Sequence, residues 1–327
     1  MTTKEYILSL LENKRGQYIS GALIAEQLNV SRNAVWKAIK ELEKDGHVIC
    51  ASTNKGYCYS EDNDILSVQG MLPYLSDKKN AERIKTYKSL QSTNKTAKEM
   101  AVSGAEHCTV IIADSQTEGK GRFERRFFSP PGQGIYMSFV MLPRQLWFDT
   151  LTLVTAFAAV SVCEAIEAVS EKKPKIKWVN DILLDNRKIC GISTEAVSDF
   201  ESGSFQWIVL GIGVNFNTPS AAFPEDLRQI AGSVFFEGGS PITRNHLAAE
   251  IVNRITAPEK PRDEKRILEK YKSRLSTIGE KITVLGIGAA PYEAIAVGID
   301  DIGRLIVKKS SGETLSLSAG EISIRNK

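Results

Sequence analysis

A chain of 327 residues with 42% apolar side chains is long enough for two or three domains with cores of their own. Its net charge of only +3 excludes a global basic field, so any nucleic-acid binding must be local. Five cysteines without a C-x-x-C pair argue against a disulfide framework or zinc site and for reduced thiols in the cytoplasm, and three scattered histidines leave little material for histidine catalysis.

No apolar signal-peptide core opens the chain. Ile7, Leu10 and Leu11 predict a first helix, and Leu23, Ile24 and Leu28 a second. Ser31 is a good N-cap for a third helix from Arg32 to Lys44, with Val35, Ile39 and Leu42 on one face. Arg32, Asn33, Trp36, Lys37 and Lys40 are left on the other face. Residues 47–51 and 56–60 then read as two strands around the turn Thr53-Asn54-Lys55-Gly56. Three helices and a hairpin suit a winged helix-turn-helix, with the third helix as reader of DNA and Lys55 on the wing. A three-helix protein-contact domain is the other reading, and the polar and basic cluster on the third helix favours the first. Over residues 1–60 eight Lys and Arg stand against six Asp and Glu, a balance of +2. That is thin for a DNA binder, and two copies on a symmetric site are the natural remedy.

Residues 64–80 read as a linker helix. The middle, about 81–272, mixes strands (108–113, 135–142, 175–179, 188–194, 206–212) with helices (92–103, 150–169, 243–255, 263–273), an α/β or α+β pattern. Thr152, Thr155, Ser161 and Glu164 interrupt the apolar helix 150–169, which is therefore expected to be buried and not to cross a membrane. The tail, 279–325, alternates in short runs between glycine turns and predicts a small β-barrel.

After the apolar run Val110-Ile111-Ile112, Gly119 and Gly121 alternate with Lys120 and Arg122, and Arg125 and Arg126 follow. A P-loop would carry Lys after its last glycine, and a dinucleotide fingerprint would carry glycine where Glu124 stands, so neither fits. The loop joins two strands instead. Four motifs accompany it: Ser92-Thr93-Asn94 at a helix start, Gln116 ahead of the loop, Lys177-Trp178-Val179-Asn180-Asp181 followed by Lys188-Ile189-Cys190-Gly191, and Gly211-Ile212-Gly213-Val214-Asn215. Each alone has a plain structural reading, such as a helix cap, a core tryptophan or strand glycines.

In this joint order they resemble the bifunctional biotin protein ligases and biotin operon repressors of bacteria, over the whole chain. The resemblance implies a multidomain α+β protein: a winged helix-turn-helix (1–62), a linker helix (63–80), an α/β class II synthetase-like ligase core (81–274) and an SH3-like β-barrel (275–327). It implies ATP and biotin as substrates, with Mg2+ accompanying ATP, and biotinyl-5′-adenylate as intermediate. The partners implied are the lysine of a biotin carboxyl carrier domain, operator DNA and a second copy of the chain in a ligand-induced dimer. Carried over by motif, Ser92, Thr93, Asn94, Gln116, Gly119, Lys120, Gly191 and Gly211 would hold biotin. Arg122, Arg125, Phe127, Asn180, Lys188 and Asn215 would hold the adenylate, with Lys188 and Arg122 catalytic, and Asp181 would be a support or magnesium-side group. Three positions depart from the usual pattern: Lys120 for arginine, Phe127 for tryptophan and Val179 for proline. Phe123, an aromatic among loop cations, is expected either to fold over ligand or to anchor a second subunit. Two other functions fit some of these residues: a regulator that only senses its ligand, and a lipoate-attaching ligase.

Overall fold

The computed structural model describes residues 1–122, 125–143, 150–198, 205–236, 239–257, 263–285, 290–318 and 321–324, and its strands form three sheets. Each of the first three helices opens on a side-chain cap. Thr2 and Glu5 form a reciprocal box on α1 (Thr3–Glu12), Ser20 caps α2 (Gly21–Gln27), and the Ser31 hydroxyl accepts from the Ala34 N–H at 3.1 Å on α3 (Arg32–Asp45). Gly46 ends α3 in the left-handed region, at φ 104°. Ile7, Leu11, Ile24, Val35, Ile39, Leu42 and Tyr59 are fully buried and make a core separate from the rest of the chain. The wing is the hairpin of β2 (Ile49–Ser52) and β3 (Gly56–Tyr59), and β1 (Tyr18–Ile19) pairs with β3.

His47 closes this core, with Nδ1 2.6 Å from the Tyr59 hydroxyl, and burial pulls its pKa down from 6.5 to about 4. Between those values the unfolded chain binds the proton and the folded chain does not. The domain's stability is therefore complete above pH 6.5 and falls as pH drops toward 4. Hydrogen-exchange protection of the Val35–Leu42 amides should weaken over that window, and His47→Gln should flatten the dependence.

The expected linker helix is absent as a single element. Residues 64–80 instead hold one turn of helix, α4 (Val68–Met71), and 3-10 turns at Leu72–Tyr74 and Lys78–Arg83. Pro73 has no N–H to continue the ladder. The segment's polar groups bond to two asparagines of α7 (Arg244–Thr256) instead. The Ser67 N–H donates to Asn245 Oδ1 at 3.0 Å, and Asn245 Nδ2 donates to the Ile65 carbonyl at 2.7 Å. Ser76 N–H and the Tyr74 carbonyl bond to the Asn253 amide, each at 2.9 Å.

The central sheet takes β4 (Ile84–Tyr87), β5 (Thr109–Ala113), β6 (Gly134–Met141), β7 (Lys175–Lys177), β8 (Asp181–Leu184), β9 (Arg187–Ser198) and β10 (Phe205–Asn215) in the order β4-β5-β6-β10-β9-β8-β7. Only the β4–β5 pair is parallel. Alternation sorts its two faces. Ile208, Leu210, Ile212 and Val214 of β10 pack into the main core with α6 (Leu151–Val169) and α7. Trp207 and Val209 of β10 face α5 (Thr93–Val102), whose Ala97 and Ala101 join them in a smaller cluster. α6 is long and apolar enough to cross a membrane, and it lies mostly buried inside the fold.

After α8 (Glu264–Arg274) come β11 (Lys281–Leu285), β12 (Tyr292–Ile299), β13 (Leu305–Lys309), β14 (Thr314–Leu317) and β15 (Glu321–Ile324). They form an antiparallel sheet ordered β14-β13-β12-β11-β15. Ile282, Val284, Ala294, Ala296, Leu305 and Val307 of this sheet belong to the same core as α6 and the central sheet.

Candidate functional site

On the α5 face of the central sheet, three strands carry small residues side by side. Register places Ser138 of β6 opposite Gly211 of β10, and Gly211 opposite Ser193 of β9; one step along, Gly213 lies opposite Gly191. The glycines make a floor that other groups rest on. A Cβ at Gly211 would overlap Asn94 Oδ1 and Ser193 Oγ, and one at Gly213 would come 2.6 Å from the Phe127 ring. The same ring lies over Gly191, beside the Lys188 side chain. These close approaches are what the absence of side chains permits.

The start of α5 stands over one end of this floor. Ser92 occupies the N-cap position, yet its side chain makes no capping hydrogen bond, unlike Ser20 and Ser31. Both the N–H and the hydroxyl of Thr93 meet Gln116 Oε1, at 2.8 and 3.1 Å, and Gln116 Nε2 donates to Ser129 Oγ at 3.0 Å. Asn94 is fixed between strands: Nδ2 lies 2.9 Å from Ser193 Oγ and 2.5 Å from Glu195 Oε1, and Oδ1 lies 2.6 Å from the Ser138 hydroxyl. Glu195 is also paired with Lys98.

The glycine loop folds back on itself as a short hairpin. Phe127 N–H donates to the Gly119 carbonyl at 2.8 Å and Gly121 N–H to the Arg125 carbonyl at 2.7 Å. Gly119 is buried against Gln116 Nε2 and Ser129 Oγ, so its backbone enters where a side chain could not. Lys120 and Arg125 stand exposed on this hairpin, and half-buried Arg122 donates from Nη1 to Asn180 Oδ1 at 3.2 Å. Phe123 lies outside the described residues.

At the other end of the floor stands Lys188, with Nζ 2.6 Å from Asp181 Oδ1. Its main chain is held from both sides, N–H to the Ile230 carbonyl at 2.7 Å and carbonyl from the Gly232 N–H at 2.9 Å. Asn215 is buried behind it. Its Nδ2 donates to Gly232 O at 3.0 Å and Lys188 O at 3.4 Å, so this amide positions the Lys188 segment. Asn180 Nδ2 donates to the Ile192 carbonyl at 2.7 Å. The predicted residues of the central sheet and loop are thus gathered on one face. Sequence reasoning missed Ser129, Ser138, Ser193 and Glu195; the available signal was a serine inside the apolar run of β6, where Ser138 is fully buried.

A buried arginine supports the loop from below. Arg244, 3% exposed, holds Asp64 through Nε at 3.0 Å and Asp114 through Nη1 at 2.5 Å, and Nη1 also reaches the Gly134 carbonyl at 3.1 Å. Asp64 follows the N-terminal domain, while Asp114 and Gly134 mark the two ends of the chain between β5 and β6. Among the described residues no group of three or more His, Cys, Asp or Glu could hold a metal, and none of the five cysteines is in a disulfide.

In the N-terminal domain, Arg32, Asn33, Trp36, Lys37 and Lys40 are all exposed on α3. Lys40 pairs with Glu43 at 2.6 Å, and Lys55 of the wing lies 5.8 Å above the Tyr18 ring.

Known proteins share this arrangement. Residues 86–215 match the biotin/lipoate A/B protein ligase family, residues 3–58 an HTH domain and residues 277–325 the biotin protein ligase C-terminal domain. The chain is 32% identical to the bifunctional ligase/repressor BirA of Bacillus spizizenii, across 95% of both chains. With the Escherichia coli protein of that name it shares 27% identity, across 98% of this chain and 96% of the other. Biotin protein ligase from Aquifex aeolicus, solved in complex with biotin and ATP, superposes with a TM-score of 0.63 at 26% identity, over 75% of this chain and 99% of that one.

Proposed function

Because this chain belongs to the bifunctional biotin ligase/repressor family, we propose that its glycine-floored site joins biotin to ATP and that α3 carries the resulting signal to operator DNA. It is a biotin protein ligase and a repressor. In the first step a biotin carboxylate oxygen attacks the α-phosphorus of ATP, the α–β bond breaks and pyrophosphate leaves. In the second, the amine of a carrier-domain lysine attacks the acyl carbon, an amide forms, and AMP departs with the bonding electron pair.

The observation that carries this reading is the joining of two unlike ends by one floor. At one end Thr93 and Gln116 present a hydroxyl, an amide and the start of a helix, suited to a neutral polar ring. Ser92, Asn94, Gly119, Lys120 and Gly211 complete the biotin end, and Gly191 lies between it and Lys188. At the other end Lys188 and Arg122 offer fixed positive charge where two anions must meet, which is mainly a matter of positioning and electrostatics. Arg125, Phe127 and Asn180 would complete the adenylate end, and Asn215 acts there through the Lys188 backbone. Mg2+ would arrive on the ATP phosphates, which supply oxygen ligands of their own. The protein acts in the cytoplasm, as a ligand-induced homodimer when it represses; two copies offset the thin charge of one reading domain.

Pyrophosphate release from ATP is expected with biotin and not with lipoate; release with lipoate alone would assign the site to the other branch of the ligase family. Gly211→Ala should displace Asn94 and Ser193 from the floor and weaken biotin binding by about tenfold, the scale of an overpacked core position, as read by calorimetry. In the repressor arm, Arg32→Ala or Lys37→Ala should weaken operator binding and leave ligation unchanged.

A further inference from the structure

At the centre of the exposed stripe on α3 stands a residue whose chemistry differs from its neighbours. Trp36 is 50% exposed, one turn beyond Arg32 and Asn33 and one turn before Lys40, with Lys37 beside it. The opposite face of the helix, Val35, Ala38, Ile39 and Leu42, is buried, so Trp36 is not a core residue at the margin. Ser31 caps α3 and the early turns of a reading helix lie deepest in the major groove, which puts Trp36 within reach of base edges. An apolar protein partner would have to bury the surrounding cations along with the indole, at a cost in desolvation. A polyanion offsets that cost by pairing the cations. Along the floor of the major groove the bases offer acceptors, donors and one apolar group, the C5-methyl of thymine.

Resting on the operator-binding reading above, we propose that Trp36 reads thymine: its ring packs on a thymine methyl in each half-site while Arg32 and Asn33 take the polar edges of adjacent bases. The methyl supplies the specificity, because cytosine and the purines present a polar group or nothing at that position. Lys37 and Lys55 supply charge toward phosphates.

The test uses the full chain with biotin and ATP and duplexes selected from a random-sequence library. Thymine at one fixed position per half-site is expected for the wild type, and that position should become degenerate for Trp36→Ala. In the selected duplex, replacing that thymine in one half-site by deoxyuridine removes one methyl and keeps every hydrogen-bonding group. The wild type should then lose about fourfold in affinity, the contribution of one buried methyl. Trp36→Phe, which keeps an apolar ring and lacks the indole N–H, should show the same sensitivity, and Trp36→Ala none. Equal deoxyuridine penalties in wild type and Trp36→Ala would overturn the assignment of thymine to Trp36 while leaving operator binding intact. Sensitivity lost in Trp36→Phe would assign the indole N–H in place of the apolar contact. Failure to enrich any duplex would overturn operator binding and this assignment together.

Discussion

Lys188→Ala is expected to slow pyrophosphate release by about a hundredfold, the loss of about 3 kcal/mol that follows removal of one preorganised charge from a catalytic site. Preorganisation is visible in how the residue is held. The Lys188 backbone bonds on both sides to the 230–232 segment, the Asn215 amide reaches its carbonyl, and Asp181 fixes the ammonium at 2.6 Å. No reorganisation is then needed as the carboxylate and α-phosphate approach. Biotin itself should bind with modest loss, since the Thr93–Gln116 pair lies at the other end of the floor. Calorimetry of biotin binding beside the pyrophosphate assay separates the two effects, and near-normal release in the variant would remove Lys188 from the reacting centre.

Arg244→Ala should lower folding stability by about 3–5 kcal/mol, the range for breaking a buried ion pair from one side. The guanidinium is almost wholly buried between Asp64 and Asp114, and its loss leaves both carboxylates facing a cavity. The pH dependence has a defined sign. Burial already raises the Asp64 pKa, with Arg244 pulling it down, so removing Arg244 raises it further. A carboxyl with a folded pKa above its unfolded value binds its proton more tightly in the native state. The variant's deficit should therefore be largest above that raised pKa and shrink as pH falls through it. Urea unfolding of both proteins across that range measures this. A constant deficit would mean that lost packing, and not the unpaired charge, sets the cost.

Much of the site was legible because its parts are local in the chain. Ser31, the alternation of β6 and the helical spacing of Val35, Ile39 and Leu42 each declare an element within a few residues. The loop, the lysine at 188 and the glycines of β10 could likewise be read as motifs. What escaped lies in pairs with no local signal. Asn94 meets Glu195 across 101 residues, and Arg244 meets Asp64 across 180. Glu195 lies just past the predicted strand 188–194 and Arg244 near the start of the predicted helix 243–255, and neither position signals its partner. The linker helix expected over residues 64–80 failed for a related reason: Asn245 and Asn253 of a distant helix satisfy the segment's backbone instead. The short strands β4 and β8 also went unseen, each only four residues long.

The turn before Asp181, which carries Asn180, takes several of its hydrogen bonds from chain that follows much later. Trp178 N–H donates to Thr277 Oγ1 and its indole to the Gly303 carbonyl, while Tyr271 reaches the Val179 carbonyl. Those partners leave the ribosome 99, 125 and 92 residues after the groups they hold. A nascent chain can therefore contain every residue of the pocket and still lack the frame for Asn180 and Asp181. The hydrogen bonds around this turn are complete only when the C-terminal sheet docks, and a chain ending before Gly303 would lack the acceptor of the Trp178 indole. Such a fragment would keep the separate N-terminal core and lack the groups that hold Trp178 and Val179.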